Sequence, residues 1–107
     1  MRKMKPEYRA VYLILKKIPK GKVTTYGAIA KKLGLNPRYV GRILSENEHP
    51  VEYPCYKVVR SEGIIGGYTI GSKNDNTTAD VKRKKLMADG VPLKGARVER
   101  PAIITDL

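Results

Sequence analysis

The chain has 107 residues with one cysteine, one histidine and a formal net charge of +12, from 22 Lys and Arg against 10 Asp and Glu. This length gives one domain with a core of its own, and one cysteine beside one histidine excludes an intrachain disulfide, a zinc finger and a cysteine-ligated iron–sulfur cluster. A free thiol fits a reducing, cytoplasmic setting, no apolar run is long enough for a membrane span or signal peptide, and the basic excess points to a polyanion, nucleic acid before a merely solubilising surface.

Tyr8, Val11, Tyr12, Leu15 and Ile18 recur at helical spacing and predict a first helix over about 7–17, closed by Pro19 and Lys20-Gly21. Thr25 is a suitable N-cap for a second helix over about 26–33, and Gly34 ends it. Asn36-Pro37 then starts a third over about 37–46, with Val40, Ile43 and Leu44 on one face. Two short helices around Gly34-Leu35-Asn36 make a helix-turn-helix pattern at about 26–46. Its second helix would expose Arg38, Tyr39 and Arg42 to nucleic acid.

Asn47, Pro50 and Pro54 break the chain into irregular structure. Pro54 to Val59 reads as a short buried strand or strand-like turn, and Gly71 to Thr78 as a polar surface loop. Thr77 would cap a last helix over about 78–88, with Lys82, Arg83, Lys84 and Lys85 mostly on its solvated face. The segment 91–107 has two prolines and an apolar Ala102-Ile103-Ile104, consistent with a docked edge strand.

Cys55 lies between Pro54 and an apolar run. Composition alone makes it a buried structural cysteine; a nucleophile would need thiolate character from a cation, a helix N-terminus or a paired base.

The motifs taken together resemble one family. Pro54-Cys55-Tyr56-Lys57-Val58-Val59 is similar to the PCHRVV active-site motif of the O6-alkylguanine-DNA alkyltransferases. Val23 to Ala30 resembles that family's V-x-S/T-Y-x-x-L/I-A helix start, Arg38-Tyr39-Val40-Gly41 its R-A-V-G recognition helix, and Gly63 to Tyr68 its G-x-x-G-x-Y loop. Asn47 and Pro50 fall at the family spacing before the cysteine. The likeness covers about residues 8–90.

The resemblance implies a mainly α, winged helix-turn-helix domain of the family's C-terminal type, with a short β-hairpin wing near 58–70 and an active-site loop at about 54–60. The whole of 1–107 would be this domain, a monomer without the family's N-terminal domain and without metal or cofactor. It implies irreversible transfer of an alkyl group from O6-alkylguanine in double-stranded DNA to Cys55, after the base has been flipped out of the stack. Helix-turn-helix geometry alone would put the recognition helix in the major groove; the resemblance implies the minor groove. Cys55 would be the alkyl acceptor and Tyr26 would press on the target phosphate and bond the base. Arg38 would fill the vacated place, with Thr25, Tyr39 and Arg42 also at the DNA. Asn47 would be a hinge, Pro50 would line the alkyl pocket, the carbonyls of Cys55 and Val58 would grip the guanine amine, and Tyr68 and Thr69 would form the pocket wall.

Three departures bear on chemistry. The family's histidine after the cysteine is Tyr56, and Asp89 falls where its orienting glutamate would be, one methylene shorter. A phenol with a reference pKa of about 10 is a poor base at neutral pH, although it can still donate a hydrogen bond to a thiolate. Lys57 replaces the motif arginine and keeps its charge. Two other functions therefore compete: an alkyltransferase-like protein that binds the lesion without transfer, and an ordinary helix-turn-helix DNA binder whose cysteine is structural.

Overall fold

Local signals set the helix ends. In the computed structural model, which describes residues 5–47, 49, 52–65 and 76–107, helix α1 spans Pro6–Lys17. Pro6 stands in its first turn, where a missing N–H costs nothing, and Lys16 and Lys17 lie at the carbonyl end of the dipole. Helix α2 spans Tyr26–Leu33; Ala28 N–H donates to Thr25 Oγ1 at 3.0 Å, and Gly34 closes the helix with a left-handed φ of 68°. Helix α3 spans Pro37–Ser45, capped by Asn36, whose Oδ1 accepts from Arg38 N–H at 2.8 Å. The three helices expected from the sequence are present within a residue or two.

Their apolar faces make the first core. Val11, Leu15, Ile29, Val40 and Ile43 are fully buried in it. The Tyr12 hydroxyl donates to the Ile43 carbonyl at 2.7 Å, so the polar tip of a buried tyrosine finds its partner across α1 and α3.

Strand β1 (Thr24–Thr25) pairs in parallel with β2 (Val58–Val59), Thr24 opposite Val58. Side chains alternate across a strand. Val58 therefore joins the helical core, while Val59 joins a second core with Val23, Ile65, Leu86 and Val98.

The remaining segments depart from expectation in part. Of 54–59, read as a short buried strand or strand-like turn, Cys55–Lys57 is one 3-10 turn and Val58–Val59 is strand. Val58–Val59 pairs with β1, Arg60 N–H then donates to Ile64 O at 2.8 Å as the chain turns back, and Ile64 bridges Arg97; residues 66–70 of the expected wing lie outside the described residues. The last helix, α4, spans Asn76–Ala88, so Thr77 lies inside it rather than capping it, and 71–75 of the expected loop lie outside the described residues. The described hairpin is β3 (Leu93–Lys94) with β4 (Arg97–Val98), antiparallel, turned by Gly95 and Ala96 with a left-handed φ of 62° at Gly95.

The C-terminal segment does dock at a strand edge. Ile103 bridges Val23 in parallel, Val23 N–H donates to Ala102 O at 2.8 Å, and Ile104 N–H donates to Val23 O at 2.7 Å. Gly63, at φ 85°, packs beneath it: a Cβ there would stand 2.7 Å from Val98 O and 2.9 Å from Ile103 Cδ1. Among the described residues no helix is long and apolar enough to cross a membrane.

Candidate functional site

Cys55 opens the 3-10 turn and is 9% exposed, packed into the helical core. Its N–H donates to Tyr53 O at 2.8 Å. Asn47 Nδ2 donates to the same carbonyl at 2.8 Å, and Asn47 N–H bonds Leu44 O at 3.2 Å. One asparagine thus joins the end of α3 to the residue two before the thiol, a location suited to the hinge expected of it. Tyr53 itself is fixed by stacking on Tyr12, ring centroids 5.1 Å apart.

The two carbonyls expected to grip a guanine amine each hold one internal donor. Val58 N–H donates to Cys55 O, and Lys82 Nζ donates to Val58 O at 2.7 Å. A carbonyl has two lone pairs, so each retains acceptor capacity.

Lys82 corrects a sequence expectation outright. It was placed with the solvated face of the last helix; it is 1% exposed and points at the Cys55–Val58 turn. Its Nζ lies 5.9 Å from the Tyr26 ring centre. Burial pushes its ammonium down to about 8; the charge of Cys55 pulls it up, and Arg60 pushes it further down. The signal was in the sequence as phase: Lys82, Leu86 and Asp89 stand at i, i+4 and i+7, one helical face. Tyr26 is another group on which the Cys55 charge acts. Burial first, then the Cys55 charge, raises its pKa, and Arg60 lowers it. Gly41 of α3 lies beside its ring, a Cβ there falling 3.9 Å from Tyr26 Cε1.

Asp89 has partners other than residue 56. Its Oδ2 lies 3.0 Å from Lys57 Nζ and accepts from Gly21 N–H at 2.9 Å. Lys57, which replaces the motif arginine, is itself buried and also donates to Pro19 O at 2.8 Å and Ile18 O at 3.3 Å. It thereby satisfies backbone carbonyls just beyond α1. Tyr56 is half-buried under the Lys85 ammonium, 5.8 Å from its ring centre. Burial raises the Tyr56 pKa first and the Asp89 charge adds to it, an electrostatic effect with no hydrogen bond between the two.

The residues expected at DNA divide. Arg38 and Arg42, four apart on α3, are both exposed on its outer side, as a phosphate- or base-facing surface requires. Thr25 is 7% exposed with its hydroxyl used as the α2 cap. Tyr39 folds back onto α1: its hydroxyl donates to Glu7 Oε1 at 2.9 Å and its ring meets Tyr8 edge-on at 6.2 Å. The position that is a small alanine in the resembled motif is therefore turned towards a helix of its own chain. Pro50, Tyr68 and Thr69 lie outside the described residues.

Comparison with known proteins points to one family. The family described as 6-O-methylguanine DNA methyltransferase, DNA binding domain, matches residues 6–91. The methylated-DNA–protein-cysteine methyltransferase of Pyrobaculum aerophilum is 41% identical over 101 residues, covering 92% of this chain and 62% of that protein. The O6-methylguanine-DNA methyltransferase structure from Pyrococcus kodakaraensis superposes with a TM-score of 0.68 at 36% identity, over 82% of this chain and 48% of that one. S. pombe Atl1, in complex with damaged DNA containing O6-carboxymethylguanine, superposes with a TM-score of 0.69 at 27% identity, over 91% and 89%. The chain thus spans less than two thirds of the curated methyltransferase it matches. With the helix-turn-helix, the cysteine turn and α4 all inside the matched region, the chain belongs to the 6-O-methylguanine DNA methyltransferase family through that family's DNA-binding domain.

Proposed function

We propose that this protein repairs double-stranded DNA containing O6-alkylguanine by moving the alkyl group, once and irreversibly, to Cys55. The observation that carries the reading is the placement of Cys55. The thiol sits in a buried turn, joined through Asn47 to a helix with two exposed arginines, and is flanked by carbonyls with spare acceptor capacity and by a buried lysine. A structural cysteine needs none of these neighbours.

In this reading the α2–α3 unit docks on DNA and Arg38 holds the place of the extruded base. Extrusion costs a few kcal/mol, which O6-alkylation lowers by weakening the pair. Val58 O and Cys55 O take the guanine amine, and Tyr26 closes over the base. Pro50, Tyr68 and Thr69 are proposed to complete the pocket. The Cys55 sulfur attacks the alkyl carbon, the carbon–O6 bond breaks, and its electron pair stays on the purine, which takes up a proton. The thioether that remains cannot be attacked again, so each molecule acts once. Tyr56 stands in the histidine position, and Asp89 holds the turn under it through Lys57.

Lesion binding without transfer is the second reading, favoured by one observation: Tyr56 is not a base at neutral pH, and its environment raises its pKa further. Intact-protein mass after incubation with an O6-methylguanine duplex separates the two. Transfer adds one methyl to the peptide containing Cys55, stops at one per protein, and is abolished in Cys55→Ala, which still binds the lesion. An unmodified mass after prolonged incubation at about pH 8.5, where a free thiol of pKa about 8.5 is half ionised, with binding confirmed, rejects the transfer reading.

A further inference from the structure

We propose that Lys82 handles the Cys55 proton in this chain, taking the part that a histidine next to the cysteine would otherwise play. The proposal rests on the transfer reading above. Three features of the fold support it. Helix α4 directs Lys82 into the protein rather than into solvent, leaving it 1% exposed, whereas Lys84 on the same helix is 74% exposed. Its Nζ is held 2.7 Å from Val58 O, three residues after the thiol and on one of the carbonyls that would face the flipped base. Among the described residues, the groups that act on it electrostatically include Cys55 from the 3-10 turn and Arg60 beyond β2, with the Tyr26 ring from α2 5.9 Å away.

This arrangement allows a balanced step. The neutral Lys82 amine takes the thiol proton across one water, giving a thiolate and an ammonium at the same turn. The thiolate sulfur forms its bond to the alkyl carbon as the carbon–O6 bond breaks, with the electron pair passing to the purine. The ammonium then gives its proton to the purine anion and returns to the amine. The sum is thiol plus O6-alkylguanine to thioether plus guanine, with no other reactant. An amine held down to about 8 can both accept and return a proton near neutral pH.

The measurement is the pH profile of Cys55 in two reactions, between about pH 5.5 and 10. One is alkylation by iodoacetamide in the absence of DNA; the other is single-turnover methyl transfer from an O6-methylguanine duplex. Wild type is compared with Lys82→Met, Lys82→Arg and the surface control Lys84→Met. Lys82→Met should slow iodoacetamide alkylation near neutrality about tenfold or more, the equivalent of one pKa unit in thiolate. It should slow transfer on the order of a hundredfold. Lys82→Arg, a permanent cation, should restore iodoacetamide reactivity but not the transfer rate, because it cannot exchange the proton. Profiles of Lys82→Met that superimpose on wild type overturn the proposal.

A purely structural lysine would be rescued by Arg in both reactions or in neither. A second measurement covers the case in which Lys82→Met does not fold. In wild type and Cys55→Ser, the Lys82 ε-carbon resonance is titrated by NMR. Removing the thiolate should move the lysine midpoint to lower pH, and an unchanged midpoint overturns the coupling. Iodoacetamide chemistry that depends on Lys82 with no transfer from DNA would reject the transfer reading alone. Transfer with a Lys82-independent profile would reject only this proposal.

Discussion

Replacing Asp89 with Ala should cost the fold about 3–5 kcal/mol, the range for breaking a buried ion pair by removing one partner. The magnitude follows from burial. The Lys57 and Asp89 side chains are 5% and 15% exposed, their contact is 3.0 Å, and Asp89 Oδ2 also takes the Gly21 N–H at 2.9 Å. Removing the carboxylate leaves a buried ammonium facing only the Ile18 and Pro19 carbonyls, and leaves the Gly21 donor unmatched. At about 4–8 °C per kcal/mol for a domain of this size, the melting temperature should fall by roughly 12–40 °C. Asp89→Asn should lose less, because an amide oxygen can still accept from Gly21. The apolar double variant Lys57→Met/Asp89→Leu should be more stable than the sum of the single losses implies, since no lone buried charge remains. Urea unfolding at about pH 7 followed by circular dichroism measures all four; the exposed Lys84–Asp80 pair, at 74% and 61%, serves as a control expected to change stability by less than about 1 kcal/mol. A loss below about 1 kcal/mol for Asp89→Ala, or strict additivity in the double variant, would show that solvent screens this pair as it does a surface one and refute the reasoning.

Arg38→Ala should weaken lesion-DNA binding by about 1–3 kcal/mol, the value of one base–side-chain stack, whereas Lys84→Ala should change it far less; equal losses in a titration against an O6-methylguanine duplex would remove Arg38 from the base-replacing role. The logarithm of duplex affinity against the logarithm of salt should fall with a slope of roughly −4 to −5, for four to six neutralised phosphates, and a slope near zero would exclude electrostatic docking by this +12 chain. Gly63→Ala should destabilise by more than about 1 kcal/mol because its Cβ meets a backbone oxygen at 2.7 Å, while Glu62→Gly, which relieves a left-handed φ of 67° on a non-glycine residue, should be neutral or stabilising. Stability should depend on Lys82 in the alkaline range. Its folded pKa of about 8 is below the ordinary value, so between about pH 8 and 10 the unfolded chain holds a proton that the folded one has released; wild type should therefore gain stability relative to Lys82→Met as pH rises through that window, by an amount on the order of 3 kcal/mol, and a difference flat in pH would contradict the burial of an ionisable amine there.

The helices were legible in the sequence because their ends carry their own chemistry. Thr25, Gly34 and Asn36-Pro37 fix α2 and α3 by bonds made within three residues, so no tertiary knowledge was needed. The β1–β2 pair was not legible, since Thr24 and Val58 are far apart in sequence and each contributes only two residues of strand. The β3–β4 hairpin had its mark in Gly95, but it was hidden by the reading of 91–107 as one docked tail. Within the site, the motif located Cys55, Asn47 and Val58, and the structure arranges them around one turn. Lys82 was missed because the basic run 82–85 looked like a solvated face, and phase with Leu86 was the weaker signal. Tyr39 was placed outward because α3 exposes Arg38 and Arg42; only the presence of Tyr8 and Glu7 on α1 turns it back.

Two lysines buried in one small, strongly basic protein invite the same question and receive different answers. Lys57 faces a carboxylate and two carbonyls, so its charge is held in place as part of the frame. Lys82 bonds the carbonyl of Val58, and its burial holds its ammonium down to about 8, where the charge of Cys55 acts on it. The two are connected through α4. Asp89, just past the end of that helix, anchors it to the Cys55–Lys57 turn and to Gly21; Leu86 fixes the middle in the second core; and Lys82 sits two turns from the anchor, about 10 Å along the axis. A helix pinned at one end positions a side chain two turns away only as well as the pin holds. Where a histidine would sit on the cysteine's own turn, its geometry is set locally. Here the proton partner comes from another helix, so its geometry depends on tertiary docking. Asp89→Asn should therefore lower the Lys82-dependent part of Cys55 reactivity even at temperatures where the fold is intact. Lys84→Met, on the same helix but facing solvent, should leave it unchanged. If Asp89→Asn shifts the melting temperature and leaves the thiol profile as in wild type, the anchor and the proton partner are independent, and contacts of α4 other than Asp89, Val81 in the helical core among them, hold Lys82 in place.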